Sequence, residues 1–307
     1  MNRLIALTLS TLCLSCSTSA GMLPTDLGTD QTKPDADAVD VGAEVITPPL
    51  SYHPLFDYVG TVDLLENTLE DGTFTHSQPA IVLYDSRAGF PYVLVEETGD
   101  CQYYRAVAEC TPPCVNSTCQ ADGSCYPFPI RISAGTITFS GLAVELVASP
   151  TPSKYYLTAP AGYTEDLFAA DAEIQVSCSG DDISAFDAAL SGVADLAVPW
   201  QSPYSLTNGE DNLVEWTPSG SGTVELAFNA GWHGTGPAEI VWCTAPDAQG
   251  KIVVPQSMVE SYITVAAVSE TDPPSFIRRV NRVLQATQFG PLAISATSRV
   301  PFFLLHL

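Results

Sequence analysis

Basic side chains are scarce. Eleven lysines and arginines stand against 35 aspartates and glutamates in 307 residues, a net charge of −24. A chain this acidic repels nucleic-acid phosphates and anionic bilayers, so direct binding of either is not expected. Histidine is nearly absent. His53, His76, His233 and His306 lie outside helical or hairpin spacing of one another, so no local pair is set up to hold a metal. The chain has no Gly-x-Ser-x-Gly elbow, His-Glu-x-x-His, P-loop or dinucleotide fingerprint, which removes the motif-bearing hydrolases, zinc proteases and nucleotide enzymes. A two-carboxylate glycosidase stays open in principle, but acids are too plentiful for any pair to stand out. What the chain does have is an apolar fraction of 46%, enough for a real core, and the length of one large or two ordinary domains.

The first residues read as an export signal. Arg3 precedes about eleven mostly apolar residues, Leu4 to Leu14, too short a run to span a bilayer. The end of that run, Leu12-Cys13-Leu14-Ser15-Cys16, resembles the lipoprotein box of bacterial exported proteins, with Cys13 where leucine is usual. The resemblance implies acylation of Cys16, insertion of that lipid in a bilayer and, with no acidic residue directly after Cys16, an outer-membrane or cell-surface location. The alternative is cleavage after Ala20 and a freely secreted or periplasmic protein. Residues 17–54 carry Asp26, Asp30, Asp35, Asp37, Asp40 and Glu44 among five prolines, without hydrophobic period, and read as a disordered acidic tether.

Nine cysteines are encoded. With Cys13 lost in the signal and Cys16 lipidated, seven remain. Four of them, Cys110, Cys114, Cys119 and Cys125, fall within sixteen residues that contain almost nothing apolar. Such a module needs covalent or metal staples. Of three possible pairings, Cys110–Cys119 with Cys114–Cys125 is preferred. Zinc is the competing reading, disfavoured by the oxidising compartment and by the turn-forming run from Asn116 to Gly123; no metal is assigned. Cys178 and Cys243 each close a β run and are expected to bridge one end of the sandwich, which leaves Cys101 as the odd thiol.

Strands dominate elsewhere. Val59–Leu65, Ala80–Asp85 and Tyr92–Glu97 form an N-terminal β segment over residues 55–109, ahead of the cysteine module at 110–128. From 129 to 307 short alternating runs recur every eight to twelve residues between turn clusters. In Thr223–Phe228, Val224, Leu226 and Phe228 face one way and Thr223, Glu225 and Ala227 the other, the pattern of a half-buried strand. Ile263–Ala266 continues the strand pattern, Ile183–Leu190 reads as a short helical turn, and 275–286, whose spacing also fits a helix, is assigned to strand. The expected fold is an all-β, Ig-like antiparallel sandwich. The run from Cys114 through Asp122-Gly123 to Pro129, then Ser133–Gly141, Val214-Glu-Trp-Thr-Pro218, His233-Gly-Thr and Ile252-Val-Val-Pro255, resembles a set of uncharacterised bacterial cell-surface lipoproteins. That resemblance implies an envelope location and a β-rich fold, and carries over no activity and no catalytic residue.

Functional candidates are few. Trp232 and His233, in a glycine-rich loop, are the most site-like residues, with an indole able to stack on a sugar. Asp181-Asp182 and Glu210-Asp211-Asn212 offer oxygens for calcium. The expected function is that of a non-enzymatic, surface-anchored lipoprotein with a binding, adhesion or envelope-structural role, an unidentified protein or glycan partner and no cofactor. The alternatives are a carbohydrate- or calcium-binding module and a secreted hydrolase.

Overall fold

The computed structural model describes residues 57–107, 109–159, 166–233, 236–266 and 274–306. The signal, Cys16 and the tether lie outside the described residues. Strands β1 (Gly60–Thr68), β2 (Phe74–Leu83), β3 (Tyr92–Thr98) and β4 (Cys101–Ala106) precede the cysteine module, whose short hairpin is β5 (Ser117–Cys119) and β6 (Cys125–Pro127). Then come β7 (Ile137–Ser140), β8 (Leu146–Pro150), β9 (Tyr156–Ala159), β10 (Glu173–Cys178) and β11 (Phe186–Ser191). The last third holds β12 (Tyr204–Leu206), β13 (Asn212–Glu215), β14 (Thr223–His233), β15 (Gly236–Pro246), β16 (Lys251–Val254), helix α1 (Gln256–Ala266), β17 (Ser275–Thr287), β18 (Gly290–Phe302) and β19 (Leu304–His306).

The all-β class is as expected. An eight-stranded sheet runs in the order β2-β1-β18-β17-β14-β15-β4-β3, and a five-stranded one in the order β11-β10-β7-β8-β9. Strands from both ends of the chain share the large sheet. β1 pairs in parallel with β18, Val62 opposite Ile294, and β4 pairs antiparallel with β15. One half of the large sheet's inner face packs Val62, Leu64, Leu83 and Ile294 against Phe139, Leu146 and Val176 of the smaller sheet. The other half packs Leu226, Phe228, Val241 and Ile277 against α1 and the β13/β16 pair. Each fully buried aliphatic or phenyl side chain contributes about 1.5–3 kcal/mol, and these two clusters are where that gain is concentrated.

Three local readings change. Ile263–Ala266 belongs to helix α1, not to a strand. Met258, Val259, Tyr262 and Ala266 recur with helical spacing and enter the core, and Asp211 Oδ1 accepts the Gln256 N–H at 2.8 Å, satisfying one orphan donor of the first turn. The stretch 183–190 is not helical: Phe186 and Leu190 point inward with period two along β11, which pairs with β10. Residues 275–287 are strand, as assigned. β14 keeps its alternation, but both faces are buried rather than one: Glu225 is 4% exposed and Ala227 0%. The reason lies on neighbouring strands. Arg278 and Arg282 both pair with Glu225, and Ala227 packs with Ile240 and Trp242.

Arg278, Arg279 and Arg282 thus meet acids inside the fold, while Arg299 donates to the Asn67 side-chain oxygen at 2.9 Å. Arg279, 1% exposed, pairs with Asp247 at 2.8 Å and donates to the carbonyls of Ala194, Asp195 and Thr217. Burial alone would raise the Asp247 carboxyl pKa, but the guanidinium of Arg279 and the backbone N–H of Ser219 outweigh it and hold it below the ordinary range.

Candidate functional site

The cysteine module is stapled by Cys110–Cys119 and Cys114–Cys125, the preferred pairing. Its hairpin reverses at Asp122-Gly123, where Gly123 has φ +79° and Asp122 Oδ1 accepts the Ser124 N–H. Asn116 adopts φ +50°, a turn conformation that asparagine tolerates. Among the described residues, the one group of three or more clustered metal-ligand side chains is Cys110, Cys114 and Cys119, and their sulfurs are consumed by these bridges.

The expected Cys178–Cys243 bridge is not formed. Cys243 lies directly opposite Cys101 in the β15/β4 register, Cα atoms 4.0 Å apart, and those two are joined. Among the described residues Cys178 is the free thiol, buried in the small sheet's core with its pKa raised by that burial. The two expected partners face different hydrophobic clusters, so no shared surface brings them together.

Trp232 and His233 end β14, where they pair with Pro237 and Gly236 at the tip of the long hairpin. Their side chains lie outside the described residues, as do 234 and 235. The acidic loops do not converge. Asp182 Oδ2 accepts the Ser133 N–H and pairs with Lys154, while Asp211 caps α1 and the Asn212 side chain closes its own turn on Thr207 and Glu210. Asp182, Asp211 and Asn212 each hold a separate piece of local structure.

Sequence reading missed a groove of about 350 Å³ built from two loops. One wall is the turn after β1, where the Leu69 and Thr73 backbones bond at 2.8 Å and Gly72 takes φ +84°. The other is the run from Val198 to Ser202. The walls are tied through Glu70: its carbonyl accepts the Val198 N–H and its Oε1 accepts the Ser202 N–H. Trp200 lines the groove, half-buried. Its Nε1 donates to the Glu215 carbonyl at 3.1 Å, and the rings of Tyr204 and Phe302 meet it edge-on, each at 5.0 Å. An indole held on both its polar and apolar sides is a rigid platform. Asp71, exposed at the rim, has its pKa lowered by hydrogen bonds from Thr73 and stays ionised. The groove therefore offers an aromatic surface, two carboxylates with spare acceptor capacity, the Gln201 amide and a half-exposed Leu69. The sequence did hold one signal: Pro199-Trp-Gln-Ser-Pro203 places a tryptophan between prolines, where no strand can bury it on both faces.

Beside the groove, β1 carries a different acid. Glu66 is 1% exposed and accepts the backbone N–H groups of Leu167 and Phe168. Burial pushes its pKa up to about 8, the Leu167 hydrogen bond opposing, so it holds a proton at neutral pH. It joins β1 to the chain entering β10. Neither a model of a known protein family nor a curated protein matches this chain.

Proposed function

We propose that this chain is an exported, lipid-tethered, non-enzymatic binding protein whose Trp200 groove takes a hydroxyl-rich ligand, a carbohydrate by chemical class. The observation that carries the reading is the combination of a braced indole with Glu70 and Asp71 in one concavity of small-ligand size. An indole face covers the apolar C–H face of a sugar ring, and ionised carboxylates accept hydrogen bonds from its hydroxyls. Three disulfides favour an oxidising compartment. The acidic tether and the Cys16 box account for a surface anchor with reach.

A glycan array probed with the wild type and with Trp200→Ala tests the ligand class. Binding to one sugar family by the wild type, lost in a Trp200→Ala protein that circular dichroism at the assay temperature shows still folded, is the expected result. No glycan bound by the wild type, or equal binding by both proteins, overturns it. Mass spectrometry of the mature protein tests the anchor: a diacylglyceryl adduct on an N-terminal Cys16 supports it, and cleavage after Ala20 refutes it.

A further inference from the structure

Strand β9 ends the five-stranded sheet, with a strand neighbour on the β8 side alone among the described residues. Its backbone pattern fixes which groups face outward. The Tyr155 carbonyl accepts the Thr151 N–H across the hairpin, and Tyr156 lies opposite Pro150, which has no N–H to give. Alternation then turns the N–H and C=O groups of Tyr156 and Thr158 away from β8. The exposed face of this edge carries Tyr155, 54% exposed, and Leu157, 66% exposed.

Arg131 sits beside it. Its guanidinium lies 4.1 Å from the Tyr155 ring centroid and 5.4 Å from that of Tyr84. Among the described residues it pairs with no carboxylate, although the chain has 35 acids, and Arg87 in the loop after Tyr84 pairs with none either. Arg278, Arg279 and Arg282 all found acids. A guanidinium held against aromatic rings keeps its donors free and gives up little further freedom on pairing. Arginine and tyrosine are also enriched at interface hot spots.

We infer that the β9 edge with Arg131 docks an extended segment of a partner protein that carries a carboxylate among apolar residues. The segment adds as a strand, its backbone pairing with Tyr156 and Thr158, its apolar side chains covering Tyr155 and Leu157, and its carboxylate meeting Arg131. A strand edge selects polypeptide over sugar or lipid, because neither of those continues a backbone ladder, and the net charge of −24 opposes an anionic bilayer. This surface is independent of the Trp200 groove, so either proposal can fail alone.

A random-peptide display library selected on the immobilised wild type, with anisotropy measurements on the synthesised winners, provides the test. Enriched peptides should carry Asp or Glu between apolar residues. Their affinity should fall by about tenfold or more in Arg131→Ala and in Thr158→Pro, the latter removing an outward N–H. Selection on Arg131→Glu should turn the preference to Lys or Arg. No enrichment, winners without an acid, or unchanged affinity in the Arg131 variants overturns the inference. So does a lowered melting temperature of Arg131→Ala with undiminished peptide binding, which makes the stack a structural brace.

Discussion

Arg279 and Arg131 bring the same guanidinium into opposite settings. Arg279 is enclosed, with Asp247 on one side and three backbone carbonyls on the others. Among the described residues Arg131 is held by ring faces alone. The first arrangement satisfies every charge it buries and ties β17 to three loops. The second leaves hydrogen-bonding capacity unspent at a surface. The difference teaches how to sort charge in a strongly acidic protein: a saturated cation is a clamp, and an unsaturated one beside exposed apolar groups is a candidate for recognition.

The largest expected effect is at the clamp. Arg279→Met should cost about 3–5 kcal/mol by urea denaturation, because Asp247 stays buried without its partner. A loss below about 1 kcal/mol would place the two arginines in the same class.

The pH dependence of Glu66 comes next and extends the contrast to buried acids. Its pKa in the folded state is about 8, against 4.5 in the ordinary case. Between those values the folded state holds a proton that the unfolded state has released. Its contribution is therefore fully present below about pH 4.5 and is lost as pH rises toward 8. Melting temperature measured across this window should fall more steeply for the wild type than for Glu66→Gln, which keeps an acceptor for Leu167 and Phe168 but does not titrate. Parallel curves would remove Glu66 from the set of buried protonated acids.

The smallest stability change is expected at the surface. Arg131→Ala should lose about 1 kcal/mol or less in the same denaturation experiment, since a stack with exposed rings is worth little to folding. A loss as large as that at Arg279 would erase the distinction between clamp and recognition element.

Much of the fold was legible locally. Alternation along Thr223–Phe228, the turn at Asp122-Gly123 and the interleaved cysteines at short spacing each report a neighbourhood of a few residues, where φ/ψ preference and side-chain direction decide the outcome. Distant pairings were not. Cys101 and Cys243 are 142 residues apart, and their bridge follows from strand register in the large sheet, which no local signal specifies. Helix α1 was hidden because Ile263, Val265 and Ala266 suit a strand as well as a helix, and the arbiter is a core surface that accepts Met258 and Tyr262 on one face. The Trp200 groove was out of reach for the same reason: Glu70 and Ser202 meet across 132 positions.

By itself the sequence determined composition-level properties and local geometry: a β-rich chain, strongly acidic, with a stapled module of four cysteines and turns where Gly, Asn and Asp demand them. Those follow from propensity and short-range covalent constraint. Tertiary structure alone decided which acids would neutralise Arg278, Arg279 and Arg282, which thiol among the described residues would be left over, and where a braced tryptophan and the ring-stacked Arg131 would reach the surface. These depend on register between strands far apart in the chain, and register is set by the summed burial of whole faces rather than by any single residue.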